Sequence, residues 1–460
     1  MQQTTVFDLD LIQRYDKAGP RYTSYPTAVQ FHEGFASKEY IEYAKNSNVD
    51  NAPLSLYFHI PFCDTVCFYC ACNKVATKNH QLAVEYLQRL LKEIELQAAL
   101  FDKQRPVTQL HWGGGTPTFL NLDEMWQLMD TTRQHFNLLD DDTGEYSIEI
   151  DPREADANTI KLLRELGFNR MSLGVQDFDP KVQKAVNRIQ TEAETFAVLE
   201  AARKEGFRSI SIDLIYGLPH QTQDSFKTTL DKVLQVEPER LSIFNYAHLP
   251  TLFKPQRRIN ETDLPTPAQK LDVLQMTINY LLDAGYVYIG MDHFAKPDDE
   301  LAVAQRNGTL YRNFQGYATH ADCDLVAMGS TSISKVGASY SQNVKTLEEY
   351  YARIDNNELA VFRGIALNED DVLRREVITQ LICHFGLSIP NIEKQFNIDF
   401  KQYFAQEWTE LDKLQQDGLI TYDDQMIEIL PAGRLLVRNI CMVFDIYLRQ
   451  AKEQRFSKVI

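Results

Sequence analysis

Between residues 53 and 248, short apolar runs alternate with longer stretches of helical periodicity, and this limits the possible folds more than any other feature. Residues 55–60, 109–112, 146–150, 170–175, 209–216 and 240–246 have the length and apolar content of strands. Residues 85–100, 122–136, 155–166 and 192–205 space their apolar side chains as helices do. Repeated strand–helix units join parallel strands through right-handed crossovers. The expected fold is therefore α/β, an incomplete parallel (β/α)6 barrel.

Parallel α/β folds gather their functional groups where strands end. The first strand runs into a cysteine loop, and the second into Gly113-Gly114-Gly115-Thr116-Pro117. The third carries Glu149 and Asp151, the fourth Gln176 and Asp177, the fifth Asp213, and the sixth Asn245 and Tyr246. Six polar strand ends in a row imply one convergent site. The glycines are either a tight turn or a place where backbone amides approach a ligand. Glu149 and Asp213 read either as solvated or paired carboxylates or as ligand contacts.

Outside this region the chain changes character. Residues 20–27 carry prolines near both ends, at Pro20 and Pro26, and hold two tyrosines and three hydroxyl residues, which disfavours a helix. This segment is a surface linker or an extended arm over a cleft. A long helix is expected over residues 269–282. From Leu367 the pattern is mainly helical, and a hairpin over 419–422 and 426–430 gives it a winged-helix-like look. The expected division is an N-terminal arm over 1–52 closing over the active site, a barrel domain with an extension over 53–366, and a small, mostly helical domain over 367–460.

A formal net charge of -17 opposes nucleic acid as a default partner, because phosphate binding needs a basic surface. The winged-helix-like tail is itself more acidic than basic, so a cap on the barrel is the better reading. The first nineteen residues hold no apolar run flanked by basic residues, and no stretch approaches the ~18 apolar residues of a membrane span. A cytoplasmic protein with no membrane span is expected.

Four of the seven cysteines, Cys63, Cys67, Cys70 and Cys72, lie close together; Cys323, Cys383 and Cys441 are scattered among apolar neighbours and read as buried small hydrophobes. The close four are either zinc ligands or cluster ligands. Structural zinc sites take two separated pairs, whereas thiolates at this spacing suit three corners of a cubane iron–sulfur cluster. If Cys72 stays off the metal, one iron is left open. His59, His111, His248 and His293 lack a second ligand at metal spacing and read as core histidines.

The three-cysteine loop after a first strand resembles the signature of the radical S-adenosylmethionine (SAM) enzymes. Within them the chain is similar to the oxygen-independent coproporphyrinogen III oxidases over residues 20–27, 59–74, 111–118, 149–154, 174–178, 213–219, 244–250 and 290–294. Ala71 departs from the pattern, standing where many relatives place glycine. The resemblance implies one 4Fe-4S cluster on Cys63, Cys67 and Cys70, with SAM on the fourth iron as the source of a hydrogen-abstracting radical. It implies two SAM molecules: one near Tyr57, Gly114, Glu149, Ala247 and Ile333, the other near Tyr69, Gly115, Thr116, Gln176, Arg188 and Asp213. Cys72, Glu149, Tyr57 and Arg21 are the implied catalytic group, with Arg21 suited to propionate carboxylates. Lys74 and Arg188 could serve the site or the surface, Lys74 more readily the surface.

The implied reaction is oxidative decarboxylation of two propionates of coproporphyrinogen III to vinyl groups, giving protoporphyrinogen IX. An electron donor such as flavodoxin or ferredoxin, an unidentified electron acceptor and a monomeric enzyme are expected. The rival is the related haem-binding chaperone, whose members lack the cysteine at Cys72 and the arm over 20–27.

Overall fold

The computed structural model describes residues 5–321 and 323–450. The chain divides into two compact units that do not follow chain order: residues 31–279 with 322–366, and residues 1–30 with 280–321 and 367–460.

The larger unit holds six strands where the sequence predicts them: β1 (Leu54–Ile60), β2 (Pro106–Gly114), β3 (Glu145–Ile150), β4 (Arg170–Gln176), β5 (Ser209–Tyr216) and β6 (Arg240–Asn245). All neighbouring pairs among them are parallel. Four strands beyond the expected six extend the sheet on the far side of β1: β7 (Asp324–Met328), β8 (Ile333–Val336), β9 (Ser339–Asn343) and β10 (Val361–Ala366). Strand β7 pairs parallel with β1, and β8, β9 and β10 follow antiparallel, so the order is β6-β5-β4-β3-β2-β1-β7-β8-β9-β10.

The crossover helices are α1 (Gln81–Ala98), α2 (Leu122–His135), α3 (Ala157–Glu165), α4 (Glu192–Lys204) and α5 (Gln223–Gln235). Their starts are written locally. Asn121 with Glu124 and Thr191 with Glu194 form reciprocal capping boxes at α2 and α4. Asp156 caps α3 through the Thr159 amide.

Alternation sets which side chains meet. Leu54, Leu56, Phe58 and Ile60 of β1 are fully buried on one face, while Ser55, Tyr57 and His59 occupy the other. Register then lines up the polar face: Tyr57 lies beside His111, His111 beside Ser147, Glu149 beside Ser172, and Asp213 between Gly174 and Ser242. A one-residue slip in any strand would send its polar row into the apolar layer.

In the smaller unit, Gly386–Ser388, Ile420–Tyr422 and Met426–Ile429 form a three-stranded antiparallel sheet with the last strand in the middle. The 420–429 hairpin is the expected one, and with helices Glu369–His384, Ile389–Phe396 and Trp408–Gln416 it makes the winged-helix-like module. Residues 20–27 contain no helix. They are not a surface linker: Tyr22 and Tyr25 are buried, Tyr22 Oη donates to Asp445 at 3.0 Å, and Arg438 donates to the Gly19 and Pro20 carbonyls. Among the described residues no helix is long and apolar enough to cross a membrane.

Candidate functional site

The strand ends of the larger unit surround a cleft of about 790 Å³ that is partly open to solvent. Cys63, Cys67, Cys70 and Cys72 all line it, together with Gly114, Gly115, Thr116, Glu149, Gln176, Arg188 and Asp213.

The cysteine loop is held at its base, its middle and its flank. At the base, Phe62–Cys63 pairs with Val75–Ala76, so the chain enters and leaves the loop side by side. In the middle, Phe68 and Tyr69 pack on the apolar cluster of Val182, Val186, Leu218, Tyr246 and Ile259. Asn187 donates to the Val66 carbonyl at 2.8 Å and Gln256 to the Tyr69 carbonyl at 3.0 Å. On the flank sits the glycine turn, where the Gly115 and Thr116 amides donate to the Ile60 and Phe62 carbonyls, each at 2.8 Å. A Cβ on Gly115 would lie 2.6 Å from the Phe62 oxygen and 2.7 Å from the Pro61 carbonyl carbon, both backbone atoms that cannot swing away. Gly114 has φ +118°, closed to other residues, and its missing Cβ leaves room for the His59 ring.

The sulfurs sit among donors. Thr116 Oγ1 is 3.6 Å from Cys63 Sγ, Arg188 Nη1 is 3.6 Å and Arg153 Nη2 3.9 Å from Cys67 Sγ, and the Cys72 amide is 3.4 Å from Cys70 Sγ. Asp151 orients both guanidiniums, accepting from Arg153 at 2.6 Å and from Arg188 at 2.8 Å. Burial pushes the Cys63 thiol up to about 11, so loss of its proton calls for a cation as partner. Among the described residues no three His, Cys, Asp or Glu side chains form a single-ion site. A cubane places each thiolate on a different iron, and this donor set fits it. Arg188, which lines the cleft, adds a buried Nε–H with no partner among the described residues, a donor that fits an anionic ligand group.

Glu149 accepts from the Gly114 amide at 3.1 Å and lies 3.4 Å from His111 Nε2. Desolvation works to raise its pKa, but His111 and the Gly114 amide outweigh it and hold the carboxyl below the usual range. Asp213 is the opposite case. Burial raises it to about 6, against the hydrogen bonds from Ser172 and Ser242. In the unfolded chain this carboxyl loses its proton near the ordinary value of about 3.9. The folded ligand-free protein therefore loses stability as pH climbs from about 4 to about 6, and the full cost stands above that. Asp213→Asn should stabilise the ligand-free protein by about 3 kcal/mol at pH 7.5 and by nothing near pH 4. Denaturant titrations at the two pH values check this, and an equal difference at both would contradict it.

Four sequence candidates lie elsewhere. Tyr57 stands behind the wall, 3.1 Å from His59 Nδ1 and stacked on His111 with ring centroids 5.8 Å apart. Ala247 follows β6 with its carbonyl accepting from Gln256, and Ile333 opens β8 opposite Gln342. Arg21 belongs to the smaller unit, in an ion pair with Asp292 at 2.6 Å.

Several other readings change. Lys74 lines the cleft and donates to the Cys70 carbonyl at 3.3 Å instead of lying on the surface. Asp177 turns away into a buried network with Gln221 and Thr229, and Tyr246 joins the apolar cluster. Arg153 and Ser172 line the cleft without having been singled out; the only signal for Arg153 was its place just past a strand end. His59 and His111 are satisfied by Asn73, Tyr57 and Ser147, as core histidines should be. Cys323, Cys383 and Cys441 are buried.

Comparison with known proteins matches residues 57–233 to the Radical SAM superfamily model and residues 367–436 to the HemN C-terminal domain model. The chain is 58% identical over 460 residues to the oxygen-independent coproporphyrinogen III oxidase of Pseudomonas aeruginosa, covering all of both chains. It is 52% identical to that of Escherichia coli over 455 residues, 99% of this chain and 98% of the other. A solved structure described as coproporphyrinogen III oxidase (HemN) from Escherichia coli, a radical SAM enzyme, superposes with a TM-score of 0.92 at 50% identity, covering 97% of this chain and 100% of that one.

Proposed function

This chain belongs to the oxygen-independent coproporphyrinogen III oxidase family, and from that premise we propose how its own residues carry out the family reaction. The enzyme is a radical SAM oxidoreductase of porphyrin biosynthesis. It converts coproporphyrinogen III to protoporphyrinogen IX by oxidative decarboxylation of two propionates to vinyl groups, without oxygen. Full-length agreement with relatives bearing that name favours it over the haem-binding chaperone.

The observation that carries the assignment of roles is the meeting of Cys63, Cys67 and Cys70 with the glycine turn, Glu149, Arg188 and Asp213 around one cleft. Cys63, Cys67 and Cys70 would hold the 4Fe-4S cluster that the family implies. With SAM bound, that cluster supplies the radical that removes a hydrogen atom from an unactivated carbon, which acid–base side chains cannot do.

The protein binds and orients. Glu149, kept ionised by His111 and the Gly114 amide and backed by His111 and Tyr57, would favour the positive charge of a bound SAM. Gly114, Glu149, Tyr57, Ala247 and Ile333 serve one SAM molecule, and Tyr69, Gly115, Thr116, Gln176, Arg188 and Asp213 a second. Arg188 offers its unpartnered Nε–H to an anionic group, and Arg153 locks Asp151, which in turn fixes Arg188. Arg21 is the residue we assign to a propionate of the substrate. A monomeric cytoplasmic enzyme with a flavodoxin or ferredoxin as electron donor completes the proposal.

Cys72 is set apart from the ligands. It is exposed, lines the cleft, and lies two residues beyond Cys70. Cys72→Ser should keep about four iron per chain yet lower turnover at least tenfold, since three ligands already account for the cluster. Iron analysis beside an anaerobic activity assay decides the matter. Loss of iron in this variant would make Cys72 a ligand and overturn its assignment. Equilibrium dialysis with labelled SAM tests the second cofactor molecule: about two per reconstituted chain supports it, and one removes it.

A further inference from the structure

The smaller unit carries buried guanidiniums of which two nitrogens each have no acceptor among the described residues. Arg312 lies on the strand Tyr311–Asn313, in register with Tyr317 of Gly316–Ala318. Its guanidinium sits over the Tyr317 ring, 4.7 Å from the centroid, and the residue is 7% exposed. Neither its Nε nor its Nη1 has a hydrogen-bond partner among the described residues. In the turn that follows, the buried Gln315 Nε2 also lacks an acceptor, while its backbone amide is tied to Asn313 Oδ1 at 2.9 Å.

Arg434 repeats the pattern. It is 8% exposed, lies 5.0 Å over the Phe385 ring, and has Nε and Nη1 without partners. Tyr317 and Phe385 both close on the backbone at Gly290, where a Cβ would collide with Tyr317 Oη and come 3.4 Å from Phe385. The two arginine-capped rings therefore belong to one neighbourhood.

The charge around them is lopsided. Arg438 is 3% exposed, donates to the Gly19 and Pro20 carbonyls, and is held down to about 10 by burial and then by Arg21, with Arg312 adding to the effect. Of the carboxylates nearby, Asp292 is engaged by Arg21 at 2.6 Å and Glu428 faces Arg434. With Arg375 and Glu376, which flank Tyr311, five guanidiniums thus stand against three carboxylates among the described residues. A guanidinium stays charged in any protein interior, so burial without an acceptor is a standing cost that an anion from outside would relieve. The donors suit a carboxylate, and the flanking rings suit the apolar stem that carries one.

We propose that Arg312, with Gln315 and Arg434, forms a carboxylate-binding site that takes a propionate of the substrate. The proposal rests on the reading above that the substrate is a tetracarboxylate. Free dicarboxylates share the same chemistry, and the experiment separates the two sources.

Coproporphyrin III, the air-stable porphyrin with the same four propionates, is titrated into the full-length protein by tryptophan quenching, alongside its tetramethyl ester. Arg312→Gln is expected to weaken binding of the acid about tenfold or more and to leave binding of the ester unchanged. Its melting temperature without ligand should equal or exceed that of the wild type, since an unpaired buried charge is removed. Should this variant fail to fold, Arg434→Gln carries the same comparison.

Equal affinity of wild type and variant for the acid would overturn the site while leaving the enzymatic reading intact. If the wild type ignores coproporphyrin III but is stabilised by succinate, and Arg312→Gln is not, the site stands as a free-carboxylate site and the porphyrinogen reading falls.

Discussion

Cys67→Ala is expected to bring iron in the anaerobically reconstituted protein from about four per chain to near zero, and to abolish turnover. The same outcome is expected for Cys63→Ala and Cys70→Ala, since each removes one of three ligands. Cys67 is the most informative of the three because its sulfur faces both Arg188 and Arg153. Removing the sulfur takes an acceptor from two guanidiniums that otherwise share the single Asp151 carboxylate in a largely buried pocket, so a drop in stability of the metal-free protein should accompany the loss of iron. Colourless wild-type protein carrying stoichiometric zinc would contradict this account of the loop. So would a Cys67→Ala protein with its iron retained.

Gly115→Ala should be nearly as damaging although it removes no functional group. Its Cβ meets the Pro61 and Phe62 backbone within 2.8 Å, so either the glycine turn or the segment entering the cysteine loop must move. That segment carries Cys63, and the turn carries Thr116, whose hydroxyl approaches the Cys63 sulfur. A misplacement of about 1 Å between bound reactants can cost on the order of a hundredfold in rate. We expect turnover to fall by about that factor, SAM to bind more weakly, and far-ultraviolet circular dichroism to stay unchanged. Gly206→Ala is the control: its Cβ meets nothing within 4 Å, so only the backbone strain of φ +81° is added, a modest loss of stability with little effect on rate.

The parts of the fold that were readable in the sequence are those encoded locally. Six strands announced themselves by apolar runs between turn residues, and helices α1 to α4 by the spacing of their apolar side chains. Strand β7 escaped because its five residues say nothing about where they pair; its place beside β1 is set by contacts across about 270 residues of chain. The smaller unit shows the same limit, since its three segments meet only in space.

The site divides along similar lines. Cysteine spacing, the glycine turn and the strand-end carboxylates are short-range patterns, and all but Asp177 came together around the cleft. Arg153 was not readable, being one of 47 basic residues and acting on a sulfur 86 positions away. Lys74 was misplaced because lysines are seldom drawn in from solvent; here the Cys70 carbonyl draws it in. Asp177 was miscounted as part of the site because a strand end does not reveal which way its last side chain turns, and Gln221 and Thr229 turn this one inward.

The most direct test of the central claim is anaerobic turnover of coproporphyrinogen III by the reduced, reconstituted enzyme with SAM, followed by mass spectrometry. The account predicts two equal mass losses through a monovinyl intermediate, with about two 5′-deoxyadenosine formed per protoporphyrinogen IX, one for each hydrogen atom removed. Substrate returned unchanged, with added haem retained stoichiometrically by the protein, would contradict it and assign the chain to haem transfer.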